Sequence, residues 1–201
     1  MLSPSWARDL AEQHLAGPLP RRWRHVQAVV EQANTVAATL DGDGDLLVCA
    51  AWLHDIGYAP PIASTGFHPL DGARLIRRLD GDDRLAGLVA HHSGAAVEAG
   101  LRGLSEQLHA EFPRERSTVA DALWYADLTT GPDGQRVTVD ERLAEIERRY
   151  GTGHVVTASV RLSRPELLAA VDRTLQRSLA QPRYGCGSLA KPRSIRRRIS
   201  G

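Results

Sequence analysis

Seven side chains of metal-binding type occur along this chain in an order that suggests one shared site: His25, His54, Asp55, His68, His91, His92 and Asp127. The pair His54-Asp55 closes the wholly apolar run Leu46 to Leu53. An imidazole and a carboxylate at the tip of a buried helix each carry a large desolvation cost unless paired or bound to a cation. A metal ion is the simplest explanation. Imidazole suits borderline ions and carboxylate harder ones, so a mixed set fits Fe, Mn, Zn or Co. Each residue alone has a local alternative: a surface histidine, a capping aspartate, a core histidine bonded to a carbonyl. His25, His54, Asp55 and Asp127 fall on three separate expected helices, each at or near an inward face, and together they favour the metal.

The elements that must position these residues are helical. A first helix is expected from about Ser5 to Ala16, stopped by Gly17-Pro18 and Pro20. A second runs from Arg21 toward Leu40, where Val26, Val29, Val30, Ala33, Val36, Ala37 and Leu40 form an apolar face with His25 at its edge. The segment Asp41-Gly42-Asp43-Gly44-Asp45 breaks it and is expected to cap the next helix. It looks like a calcium loop. An EF-hand, however, needs Gly at loop position six and Glu at twelve, where this chain has Leu46 and Trp52.

The third helix, Leu46 to about Ile56, is apolar all round, as a central helix packed on every side would be, and stops at Gly57. Pro60-Pro61 break the following loop. Pro69 suits the first turn of a fourth helix with His68 near its N-cap and Ala73, Ile76 and Leu79 facing inward. A fifth helix carries Leu85, Leu88, Val89 and His92 on one stripe, which favours His92 over His91 as a ligand while both stay candidates. Further helices are expected over Arg114–Leu128, with Asp127 on the inward face, and over Asp140–Tyr150 and Arg164–Leu179. Between them, 131–139 could hold a short strand around Val137 and Val139, although most such fragments are loops. The fold class is all-α.

The order His25, His54-Asp55, His68, His91-His92, Asp127 resembles the HD superfamily of metal-dependent phosphohydrolases, over about residues 21–130. The resemblance implies an HD-domain helical bundle in which His54 and Asp55 ligate from one helix end and His25 and Asp127 arrive from flanking helices. Phe67-His68-Pro69-Leu70-Asp71-Gly72-Ala73 and Val89-Ala90-His91-His92-Ser93-Gly94 look like motifs that bind a second metal in several branches. The implied cofactor is a divalent metal, one or two ions, Fe or Mn first, with Co, Ni, Zn or Mg as alternatives. Arg22 matches an arginine common three residues before the first histidine, and would bind substrate. Its planar fork can clamp two phosphate oxygens.

Within the superfamily the details are closest to compact bacterial proteins of the dinucleoside tetraphosphate hydrolase type. Tyr58 stands where many relatives have Lys, and the Glu of nucleotidase-type members is absent, which speaks against deoxynucleotide 5'-phosphatase activity. A bound divalent ion lowers the pKa of its water to about 7. Asp55 beside it would orient that water or take its proton, as the catalytic residue. The expected function is hydrolysis of a small phosphorylated or nucleotide-like substrate, as phosphohydrolase or phosphodiesterase. Two alternatives stay open: a mixed-valence di-iron oxygenase and a non-catalytic metal-binding HD scaffold. Arg24, Arg74 and Arg77 are weaker substrate-binding candidates, and His14, His109 and His154 belong to no motif.

Length and composition fit one domain over residues 1–181 of this 201-residue chain. No stretch is apolar enough to span a bilayer and the N-terminus lacks the apolar core of a secretory signal, so no membrane partner is expected and the protein is expected to be cytoplasmic. Two cysteines, Cys49 in the apolar helix and Cys186, make no disulfide framework. The net charge of +1 hides an asymmetry: residues 182–201 hold six basic residues and no acid, leaving −5 on residues 1–181. A mildly acidic body argues against nucleic acid as a partner, and the basic end is expected to be a disordered tail. Oligomeric state is left open.

Overall fold

A helix with no polar face must be surrounded, and the surroundings of Gly44–Leu53 organise the whole molecule. The computed structural model describes residues 3–79 and 81–180. Among these lie ten α-helices: α1 (Pro4–Ala11), α2 (Pro20–Ala37), α3 (Gly44–Leu53), α4 (His68–Arg78), α5 (Asp83–Ala90), α6 (Ala95–Arg102), α7 (Ser105–Glu111), α8 (Thr118–Leu128), α9 (Val139–Tyr150) and α10 (Val155–Ala180). Helix α3 buries seven of its residues, Cys49 included, against α1, α2, α5 and α8. The expected all-α bundle is what forms. The basic segment 182–201, expected as a disordered tail, and Cys186 lie outside the described residues.

Helix ends put the chemistry where it is. Helix α3 stops at Leu53, three residues short of the expected end, because Asp55 leaves helical geometry (φ −103°, ψ 7°) and a tight 3-10 turn, Ile56–Tyr58, follows. A Cβ on Gly57 would lie 2.0 Å from the His68 carbonyl oxygen, so only glycine lets α4 begin against this turn. The loop before α4 is tied down by Asp71, whose carboxylate accepts from the backbone N–H of Ser64 and Thr65 and from both hydroxyls. Helix α5 is capped by Asp82, which accepts from Leu85 N at 2.9 Å. It ends at Ala90, and a 3-10 turn, His92–Gly94, leads into α6.

Several sequence expectations need correction. The first helix ends at Ala11 and passes into a π-helical turn over Glu12–Ala16. Asp43 stands at the N-cap of α3 but makes no cap bond, because its carboxylate accepts from Nη1 and Nη2 of Arg84 at 2.8 and 2.7 Å. Leu79, expected inward, is 46% exposed where α4 ends. Helices α6 and α7 fill a segment for which no element was expected. The eighth helix starts at Thr118 rather than Arg114, capped by Ser117. Helix α10 starts nine residues before Arg164 and runs through Pro165; the carbonyl that the proline leaves unbonded belongs to Arg161, which is exposed and can be hydrated. The 131–139 segment, by contrast, is the loop that most such fragments are, with only an isolated bridge between Thr130 and Arg136.

Candidate metal centre

Three histidines are oriented by the same device. The buried apolar stripe of α2 carries His25 inward, and its Nδ1–H donates to the Gly131 carbonyl at 3.0 Å. His54, at the C-terminal end of α3, donates Nδ1–H to Ala51 O at 2.8 Å, and His92 donates Nδ1–H to Val89 O at 2.7 Å. A carbonyl can only accept, so in each ring Nδ1 carries the proton and Nε2 presents a lone pair to the interior. Those lone pairs meet carboxylates. His25 Nε2 lies 3.1 Å from Asp127 Oδ1 and His54 Nε2 lies 3.3 Å from Asp55 Oδ2. His54 Nε2 is buried and has no hydrogen-bond partner. Lone pairs facing carboxylate oxygens in a dry site repel unless a cation sits among them. The residues present therefore fit a metal ion.

Among the described residues two groups of donors converge, His25 with His54 and Asp127, and Asp55 with His68 and His92, the ligand atoms within each group lying within 4.8 Å of one another. Asp55 joins the two. Its Oδ2 faces His54 and, at 3.8 Å, His25, while its Oδ1 faces His68 at 3.3 Å and His92 at 4.0 Å. Burial alone would raise the Asp55 carboxyl, but the Arg22 guanidinium and His54 outweigh it and hold Asp55 well below the usual carboxylate range. Burial likewise works against ionised Asp127 and is overcome by the adjoining His25, His54 and Arg142 side chains. Burial and the neighbouring His68 and His54 push His92 down to about 3, which keeps its ring neutral and ligand-ready.

Residues 22–130 match the family model described as HD domain. The chain belongs to the HD domain family. Two archaeal proteins named tRNA (cytidine(56)-2'-O)-methyltransferase are similar to it: that of Thermoplasma volcanium is 36% identical over 75 residues, 37% of this chain and 22% of the relative, and that of Picrophilus torridus is 31% identical over 102 residues, 49% of this chain and 29% of the relative. The chain thus spans less than a third of the length of either. An uncharacterized protein of Methanocaldococcus jannaschii is 30% identical over 138 residues, 65% of this chain and 78% of that one. No solved structure matches.

Of the HD-type residues read from the sequence, the structure gathers His25, His54, Asp55, His68, His92, Asp127 and Arg22. Arg22 donates to Asp55 Oδ2 at 2.6 Å and lies 4.1 Å over the Tyr58 ring, which also stacks on His68 at 3.9 Å. His91 is not brought there. Because α5 ends at Ala90, the two consecutive side chains diverge: His91 Nε2–H donates to Phe112 O at 2.6 Å and its ring packs near His109. Arg24 and Arg74 pair with Asp133 and Glu111, Arg77 lies over Phe112, and none of these borders the centre's cavity. Neither do His14, His109 and His154.

Two contributors were missed. Ser93 Oγ donates to Asp127 Oδ2 at 2.5 Å, which leaves Oδ1 for the donor group. Arg142 of α9 reaches within 3.8 Å of Asp127 Oδ1. A signal existed for it: the buried stripe of α9 is Val139, Arg142, Leu143 and Ile146, and an arginine in a core stripe calls for a charged partner inside.

Proposed function

We propose that this HD-domain protein is a metal-dependent phosphohydrolase or phosphodiesterase that acts on a small phosphoester. The observation that carries the reading is Asp55, one carboxylate shared by two donor groups with Arg22 bonded to it. Divalent ions held there would supply a nucleophile at neutral pH and neutralise charge developing on phosphoryl oxygens. His25, His54 and Asp127 would hold one ion, and His68 and His92 with Asp55 the other. Asp55 would also orient the attacking water and accept its proton. Arg22 offers its remaining guanidinium N–H groups to a phosphate oxygen at the cavity wall. Burial raises the Tyr58 phenol, so it stays a neutral donor beside them.

The relatives' names mention tRNA, but the −5 charge of residues 1–181 weighs against an extended nucleic-acid footprint. We take residues 1–181 as one domain. We also take the protein as cytoplasmic; among the described residues no helix is long and apolar enough to cross a membrane.

Metal analysis of anaerobically purified protein, joined to a screen of phosphoesters and phosphonates, tests the reading. Phosphate release supported by Mn or Co is the expected result, with His54→Ala and Asp55→Ala losing both metal and turnover while remaining helical. Iron with O₂ uptake on a phosphonate would replace hydrolysis by oxygenation.

A further inference from the structure

The family match ends at residue 130, yet the cavity over the donor groups is lined in part by elements beyond it. Helices α9 and α10 form its far wall, where Arg142, Arg149 and Tyr150 face Asp55, His68 and His92 across a space of about 80 Å³. Arg142 is only 6% exposed. Its Nη1 donates to Glu145 Oε2 at 2.7 Å, and Arg149 Nη2 donates to the same oxygen at 2.8 Å. Among the described residues Glu145 is the one carboxylate within hydrogen-bond distance of these two guanidinium groups; Asp127 Oδ1 lies farther, 3.8 Å from Arg142 Nη2. The Nε of Arg142 is buried with no hydrogen-bond partner. A buried guanidinium that borders a cavity is stabilised by an anion placed in that cavity.

We propose that Arg142 and Arg149 bind the terminal phosphate of the substrate, and that the substrate is a phosphomonoester. This rests on the hydrolase reading above and narrows it. A monoester dianion has three non-bridging oxygens, more than one side of a site can satisfy. Donors on α9 face the oxygens turned away from the carboxylate cluster, and the planar forks of arginine suit them. Ile146, Val156, Val160 and Leu167 add an apolar part to the wall, and Ser93 and Glu98, the latter paired with Arg102, complete its polar part. A space of about 80 Å³ beside the donor groups has room for a phosphate group.

The test is titration calorimetry of inorganic phosphate into the Mn-loaded full chain, with metal stoichiometry measured on each sample. Arg142→Gln and Arg149→Gln are expected to weaken phosphate binding at least 10-fold with unchanged metal content, Arg142→Lys to recover part of the loss, and Arg148→Gln, an exposed neighbour outside the cavity, to match wild type. In a turnover panel, alkyl phosphomonoesters should exceed dinucleoside polyphosphates in kcat/KM, and R149Q should raise KM more than it lowers kcat. Unchanged phosphate affinity in R149Q overturns the assignment, as does metal loss in R142Q together with wild-type binding by R149Q. Preferred turnover of dinucleoside polyphosphates overturns the substrate class. A wild-type protein that takes up metal but neither binds phosphate nor hydrolyses any phosphoester would instead sink the hydrolase reading itself.

Discussion

His68 and His92 meet Nε2 to Nε2 at 3.2 Å, and His92 has its proton committed to Val89 O through Nδ1. Its Nε2 therefore offers only a lone pair to His68. Either His68 donates to it or both rings point lone pairs at a shared cation, and the nearby Asp55 Oδ1 supplies the carboxylate a cation would need. The second arrangement predicts that His68→Ala and His92→Ala each lower bound metal from two ions toward one per chain and depress turnover by orders of magnitude. His25→Ala and Asp127→Ala should disturb the other ion. Elemental analysis and anomalous diffraction at the Mn or Fe edge would check it; a single ion in wild type, remote from His68 and His92, would reduce the centre to a mononuclear one.

Gly57 sets the distance between the His54-Asp55 pair and α4. A methyl there would overlap the His68 carbonyl and approach Gly72 N within 2.7 Å, both of them backbone atoms that cannot swing away. Gly57→Ala should push α4 outward and carry His68 off Asp55 Oδ1. The expected outcome is loss of one ion together with destabilisation of about 1–3 kcal/mol, the range for overpacking. Thermal denaturation beside metal analysis would show it. Retention of both ions with an unchanged melting temperature would mean the turn is softer than its packing suggests.

Ser93 combines two properties that substitution can separate. Its hydroxyl fixes Asp127, and its backbone sits at φ 45°, a left-handed geometry that costs a non-glycine residue about 1 kcal/mol. Partners that orient metal ligands are typically worth about 10–100-fold in metal affinity. Ser93→Ala and Ser93→Gly should therefore both weaken metal binding by about 10-fold or more, while the glycine variant melts higher than the alanine one. Competition with a chelator and melting curves measure the two effects. Equal affinity of S93A and wild type would leave the hydroxyl without a role at the centre.

Most of the centre was legible because ligands must be neutral imidazoles and carboxylates, and such residues are conspicuous at the ends and edges of apolar segments. His25 in the α2 stripe and His54-Asp55 after Leu53 are of this kind. The limits came from helix ends. Periodicity carried the third helix to Ile56 and treated His91 and His92 as neighbours on one helix, whereas the helices end at Leu53 and at Ala90, the first just before Gly57 packs against the α4 backbone. Asp43 shows the same limit: a good N-cap by type and place, it is drawn off by Arg84, forty-one residues away. Arg142 was hidden for another reason, since it lies outside the motif-bearing segment and its role depends on how α9 packs over the centre.

The divergence of His91 from His92 makes the last prediction. His91 is 4% exposed, and burial, with His109 and Arg114 nearby, lowers its pKa below the ordinary 6.5 despite the hydrogen bond to Phe112 O. A group whose folded pKa lies below its unfolded value binds protons more readily when unfolded. Its contribution to stability is therefore complete above about pH 6.5 and is lost as the pH falls from there through the folded value. Glutamine keeps a donor for the Phe112 carbonyl and does not titrate. His91→Gln should leave metal content at the wild-type level, and the fall in melting temperature between pH 7.5 and pH 5 should be smaller than in wild type under the same metal loading. Asparagine or alanine would leave that carbonyl unpaired at a cost of about 1–3 kcal/mol at any pH. Loss of metal in H91Q would return His91 to the ligand set, against the geometry that turns its Nε2 toward Phe112.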